Sequence, residues 1–292
     1  MKFVTVDKDG TRTYLPRRKR SKASAVSETL LSVATVAAFW LGIWFLLALR
    51  TGTDLLLPGP GTVLRRLFRL AGERVFWQAT GQTLLRILIG YVAGVLSGTI
   101  LAALTAWSRH AAALLSPLGR MVKATPVASF IILALVWIPA NNIPSFIVFL
   151  MVTPIVWDAL RTALENTDPA LLEMARAYRF GRVRTVLNVY LPAALPAYLS
   201  SMLTALALGW KAGIAAEVLC LPKISIGRRL YESKIYLETP DLFAWTALVI
   251  LLSVLMEALI RLLIRRCTGD RPASGKSETA ADTAPSEGGE GQ

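Results

Sequence analysis

One histidine, His110, and two cysteines, Cys220 and Cys267, serve a chain of 292 residues. Two distant thiols make no disulfide framework. A zinc site or a histidine-based triad would need ligands or a base that this sequence scarcely has. Acids are also sparse: 19 Asp and Glu stand against 32 Lys and Arg, a formal net charge of +13. The charges that do occur are swept into clusters. Between the clusters lie uncharged runs of the ~20 residues that a helix needs to cross a bilayer. A soluble domain of this length would show amphipathic segments with a charge every few residues. With 54% of residues hydrophobic, the chain reads as an all-α integral membrane protein.

The basic run "RRKRSK", Arg17 to Lys22, sits just ahead of the first apolar run, and basic clusters beside membrane spans stay on the cytoplasmic side. Nucleic-acid binding is the rival reading of such a run, but no folded soluble domain surrounds it. The first apolar run is too long and begins too late for a cleavable signal, so it reads as a retained span. This divides the chain into a basic cytoplasmic segment, residues 1–28, a transmembrane domain, residues 29–266, and a tail, residues 267–292. The tail is rich in Gly, Ser, Ala and Glu without apolar periodicity, the composition of disorder.

Six spans are expected, near residues 29–49, 83–107, 114–138, 144–164, 192–219 and 242–264. A helix with arginines between its apolar positions, residues 63–76, reads as interfacial. Within span two Gly90, Gly94 and Gly98 recur every four residues on one face, the small-residue pattern that lets a neighbouring helix approach closely. Spans three and four divide at "IPANNIP" (Ile138 to Pro144), whose prolines and asparagines make a turn. An even number of spans puts both termini on one side, and basic residues at both ends nominate the cytoplasm. The arginines after span one, Arg50 and Arg65 among them, run against that rule.

Between spans four and five stands a charged island, "DPALLEMARAYRFGRVRTVLNVYLPAALP". Asp168 is a good N-cap and Pro169 follows at the first helical position, where its missing N–H costs nothing. Leu171, Ala175 and Tyr178 share one face, Glu173 and Arg176 another, and Gly181 can end or turn the helix. The segment reads as a short helix, a turn and a second stretch running into span five. A solvated loop is the plainer alternative.

The residues "EMARAYRFGRVRTVLNVYLP" resemble the EAA signature of binding-protein-dependent ABC importer permeases: Glu-Ala-Ala, three residues, Gly, nine residues, Ile-x-Leu-Pro. Glu173, Ala175, Val189, Leu191 and Pro192 fall on that spacing. Met174 replaces the first Ala, and Arg179 stands where the family has its glycine, with Gly181 two residues later. "LPGPGTVLRRL" and "GWKAGIAAEVL" followed by "ISIGRRL" are similar to the nitrate/sulfonate/taurine branch. The resemblance implies a bacterial inner-membrane permease working as two permease subunits, a homodimer in the simplest case, embedded in lipid. It further implies a separate cytoplasmic ATPase that uses the ATP, so that this chain needs no cofactor, and an extracytoplasmic solute-binding protein. It assigns ATPase coupling to Glu173, Ala175, Arg176, Arg179, Gly181 and Pro192, and no catalytic residue.

Lys211 and Glu217 are charges inside span five, where each costs about 2.5–3.5 kcal/mol on insertion scales. They are candidates for lining a translocation path; snorkelling or pairing with another helix is the plainer reading. "GDRPASGKS" (Gly269 to Ser277) is a P-loop look-alike with five residues between its glycines instead of four, and no strand or helix to present it. A stand-alone transporter or channel is the alternative function; it favours paired intramembrane acids and an internal repeat, neither evident here.

Overall fold

The computed structural model describes residues 4–6, 12–14 and 22–268. The tail beyond residue 268, with its P-loop look-alike and its expected disorder, and most of the "RRKRSK" cluster lie outside the described residues. Two short strands, β1 (Val4–Val6) and β2 (Arg12–Tyr14), pair antiparallel with Thr5 opposite Thr13. Helices follow: α1 (Lys22–Thr51), α2 (Pro60–Ala71), α3 (Arg74–Trp107), α4 (Arg109–Ala124), α5 (Val127–Ala134) and α6 (Ile143–Glu165). After them come α7 (Pro169–Ala177), α8 (Arg182–Thr185), a π-helical turn (Val186–Tyr190), α9 (Leu191–Cys220), α10 (Ile226–Ile235) and α11 (Thr239–Thr268).

Five of these segments are long and apolar enough to cross a membrane, and the α4–α5 pair makes up to six. The expected straight third span, residues 114–138, is corrected. Its helix starts at Arg109, stops at Ala124 and resumes as α5 at an angle of 101°. Pro126 is the cause: a proline drives the residue before it out of the helical region, and Thr125 sits at φ −84°, ψ 131°. Pro117 and Pro154, by contrast, lie inside helices that continue through them.

Other boundaries also shift. The first helix begins at Lys22, so the division at residue 28 falls inside it. The interfacial helix stops at Ala71, because Glu73 is extended and a new helix starts at Arg74. The fifth span does not begin near Pro192: α8, the π turn and α9 form one apolar helical rod from Arg182 to Cys220. Pro192 has no N–H for the carbonyl four residues back and its ring crowds that carbonyl. The widened turn just ahead of it accommodates this, with the Leu191 N–H bonded to the Val186 carbonyl.

The centre of the bundle is α3, α6 and α9. Along α3 the glycine face meets α6 in register. A Cβ on Gly90 would lie 2.9 Å from Val148 Cβ, one on Gly94 2.7 Å from Val152 Cβ, and one on Gly98 2.7 Å from the Thr153 carbonyl. The order of these contacts makes α3 and α6 parallel. On α9, Gly209 faces Val152 while Gly213 faces Ile87 and Val148, so α9 runs antiparallel to both. The main core joins these helices to α11 and α2 through Ile87, Val148, Trp210, Trp245 and Val63. At the end of the bundle where α7 lies, Trp157 donates to Thr105 at 2.9 Å. There Arg161 reaches Ser116 on α4 at 2.9 Å, and Lys123 pairs with Asp158.

Candidate functional site

Three places on the bundle carry unusual chemistry. The first is α7 and the turn after it. The Asp168 carboxylate accepts from the Ala170 N–H at 2.9 Å, as an N-cap does. Ala175 is 2% exposed and anchors the helix, while Glu173, Arg176 and Arg179 are exposed. The helix ends in a Schellman turn: the Phe180 N–H bonds the Ala175 carbonyl and the Arg179 N–H bonds the Arg176 carbonyl, both at 2.9 Å. Arg179 therefore occupies the left-handed position, at φ 52°. Gly181 does not make this turn. It is extended at φ −66°, ψ 161° and caps α8. The reading in which Gly181 ends the helix gives way to one in which Arg179 takes the glycine conformation itself. Leu171 and Tyr178 are also exposed, so the face they share with Ala175 is only partly covered. Pro192 lies at the foot of α9, exposed, just past the π turn.

The second place is a stripe on α9. Ala197, Ser200, Thr204, Leu208, Lys211, Ala215 and Leu219 are exposed at helical spacing. The outward face of α11 carries Ile250, Leu251, Val254, Leu255 and Leu262 instead, the residues expected against lipid. Small and hydroxylated side chains around a lysine mark a face that meets water or protein. Lys211 has no hydrogen-bond or ion-pair partner among the described residues.

The third place is Glu217, six residues on and about 240° around the helix from Lys211. Glu217 is 0% exposed. Its carboxylate accepts from Thr83 Oγ1 at 2.8 and 3.0 Å, from Arg86 Nη1 at 3.3 Å and from the Gly227 N–H at 3.2 Å. Arg86 also donates to the Ile224 carbonyl at 2.8 Å, and Thr83 Oγ1 accepts from the Ile226 N–H at 3.0 Å. One carboxylate thus ties α3, α9 and the start of α10 into a single knot. Gly227 is required there: a Cβ would stand 2.6 Å from the Glu217 carbonyl carbon and the Val218 nitrogen. Lys211 and Glu217, paired in the sequence as two path residues, therefore sit in different surroundings, and only Lys211 faces open space in this chain.

Residues 90–269 match the model of the family described as the binding-protein-dependent transport system inner membrane component. The chain belongs to that family. Its sequence is 24% identical over 259 residues to the taurine transport system permease protein TauC of Escherichia coli, covering 86% of this chain and 94% of that one. It is 31% identical over 231 residues to a probable ABC transporter permease protein of Haemophilus influenzae, covering 77% and 91%. In fold it is similar to a chain of the methionine ABC transporter MetNI in an inward-facing conformation, with a TM-score of 0.52 at 17% identity over 65% of this chain and 93% of that one. The protein is thus a permease subunit of an ABC importer, a multi-pass inner-membrane transport component and not an enzyme. Permeases of this family work with an ATPase subunit and a solute-binding protein.

Sequence reasoning missed the partners of Glu217. Arg86 stands near the start of the second span and Gly227 in the "ISIGRRL" stretch, and nothing along the chain joins them. It also missed the link between α2 and α11, where Arg66 Nη2 donates to Asp241 Oδ2 at 2.7 Å and Arg66 Nε makes a second, shorter bond to Oδ1. The hydrogen-bonded Asp241 carboxylate raises the Arg66 guanidinium above its ordinary pKa, and the pair accounts for one of the arginines that offended the charge rule.

Two substitutions test the permease's local structure. Glu217→Ala removes the charge that Arg86 pairs with and leaves the Gly227 N–H without its acceptor, a loss of about 3–5 kcal/mol for a broken buried pair. Its thermal midpoint in detergent should fall well below that of Glu217→Gln, which keeps one acceptor oxygen; a wild-type midpoint for Glu217→Ala rejects the knot. Arg179→Gly removes a left-handed penalty of about 1 kcal/mol and should raise the midpoint. A drop instead would show that the arginine side chain holds the turn.

Proposed function

We propose that this permease forms half of a two-fold translocation path. In this reading α7 and both termini lie in the cytoplasm, and α7 is the element that a separate ATPase engages. One observation carries it: α7 packs against the π turn at the foot of the helical rod with Ala175 buried, yet Glu173 and Arg176 on it and Arg179 in the turn after it have no side-chain partner among the described residues. A charged surface held rigidly at the foot of a transmembrane rod suits a groove on a partner that changes shape. A ligand-driven change needs contacts that differ between the two states, and closure of an ATPase dimer against α7 supplies them. Pro192 and the π turn sit where α7's displacement would enter α9. ATP is bound and spent by the partner, so this chain carries no cofactor of its own.

The polar stripe on α9 supports the path. A second copy related by a two-fold axis would set two such stripes face to face, each bearing a Lys211 and a ladder of Ser200 and Thr204. The solute-binding protein would deliver solute to the opposite end, where α2, α10 and the Arg66–Asp241 pair lie.

Glu173→Lys should fold, reach the membrane and lose both co-purification with the ATPase and solute uptake. Wild-type uptake by that variant sinks the docking assignment. In the same assay Lys211→Ala should lower uptake at unchanged expression while leaving the ATPase attached; unchanged uptake removes Lys211 from the path.

A further inference from the structure

At the α7 end of the bundle two cavities adjoin. One, of about 800 Å³, is an open groove bordered by Trp107, Arg176, Phe180, Arg182 and Tyr190. The other, of about 330 Å³, is a crevice between α3, α6 and α9 walled by Ala103, Ala106, Leu160, Leu164, Leu191 and Ala194. They share Trp107, Leu172, Val186 and Tyr190, and the π turn places Val186 and Tyr190 on that shared wall. The crevice begins at Thr99, eight residues above Trp107, which is ~12 Å of helix. Its polar wall residue Glu165 is already paired with Arg161 at 2.8 Å.

We propose that these adjoining cavities bind one anionic phospholipid of the leaflet on the α7 side, with an acyl chain in the crevice and the phosphate at Arg182. That this leaflet is the cytoplasmic one rests on the orientation proposed above. The depth fits. The run from Ile87 to Trp107 is uncharged, the length of a hydrocarbon core, and Trp107, 73% exposed, marks its boundary together with Tyr190, as aromatic residues do at membrane interfaces. The slot is therefore apolar where acyl chains lie and cationic where headgroups lie. Neither Arg176 nor Arg182 has a hydrogen-bond or ion-pair partner among the described residues, and basic side chains at this depth attract anionic lipid.

Other occupants fit less well. The second copy proposed above meets this chain along the α9 stripe from Ala197 to Leu219, none of whose exposed residues lines either cavity. The tail, residues 269–292, has acidic residues for the mouth but no Leu, Ile, Val, Phe or Met for the crevice.

The test is native mass spectrometry of the detergent-purified full-length permease, with its ATPase where that remains attached, exposed to phosphatidylglycerol and phosphatidylethanolamine of matched chains. The wild type should retain about one phosphatidylglycerol per permease copy in preference to phosphatidylethanolamine. Ala106→Trp, which fills the crevice from an exposed position, and Arg182→Gln should each lower that retention roughly fivefold. Equal retention of the two lipids, or unchanged retention in either variant, overturns the site. So does a cross-link from Ala106→Cys to the tail or to a second copy.

A second measurement does not depend on those variants folding. Brominated phosphatidylglycerol should quench the part of the tryptophan emission that Trp107→Phe removes, and brominated phosphatidylethanolamine should quench it less; equal quenching overturns the site. Lipid retention is read on the permease with or without the ATPase, so failure of the docking proposal and failure of this one are separate results.

Discussion

The close approach of α3 to α6 is the contact on which the rest of the bundle is built. Between helices already in lipid there is little hydrophobic drive to associate, because acyl chains are as apolar as leucine; van der Waals packing and interhelical hydrogen bonds must hold them. Gly90, Gly94 and Gly98 let the α6 backbone and the Cβ atoms of Val148, Val152 and Val156 sit where side chains would otherwise stand. That spacing fixes the groove into which α9 descends, with its own Gly209 and Gly213 against the same valines. Once α9 is seated, Glu217 arrives beside Thr83 and Arg86, and the knot at the far end of the bundle can close.

The buried glutamate is acceptable for the same reason. A carboxylate inside a membrane protein is costly unless its oxygens are engaged, and here hydroxyl, guanidinium and backbone N–H donors converge on it. The knot ties the non-helical link from Leu221 to Ser225 to α3, and Asn141 adds a bond to the Lys223 N–H at 3.1 Å. Irregular backbone at the end of a span is tolerated where the protein itself supplies such partners. At the other end the irregularities are of another kind. The left-handed Arg179 and the π turn ahead of Pro192 lie in the segment that joins two spans, and both follow the element proposed to meet the ATPase.

Arg179 shows how a motif and a structure can agree while the residue changes. A glycine belongs at that place because the Schellman turn needs a positive φ. The turn persists with an arginine in it because the hydrogen bonds from Phe180 and Arg179 close it. The apparent substitute, Gly181, has another task in the structure: its extended backbone starts the rod that becomes α9.

Hydrophobic runs, charge clusters and the spacing of Glu173, Ala175, Leu191 and Pro192 were sufficient to read a helical membrane protein and its family. These features are local: a span needs only its own ~20 residues, and a capped helix or a spaced motif is written within one stretch of chain. The unbroken rod from Arg182 to Cys220 and the different surroundings of Lys211 and Glu217 were decided by tertiary structure. Whether a charge on a span faces open space or a buried partner depends on which helix lies against that side of it. For Glu217 that helix is α3, more than a hundred residues earlier in the chain, and only the glycine-lined approach of α3, α6 and α9 brings Thr83 and Arg86 within hydrogen-bonding distance.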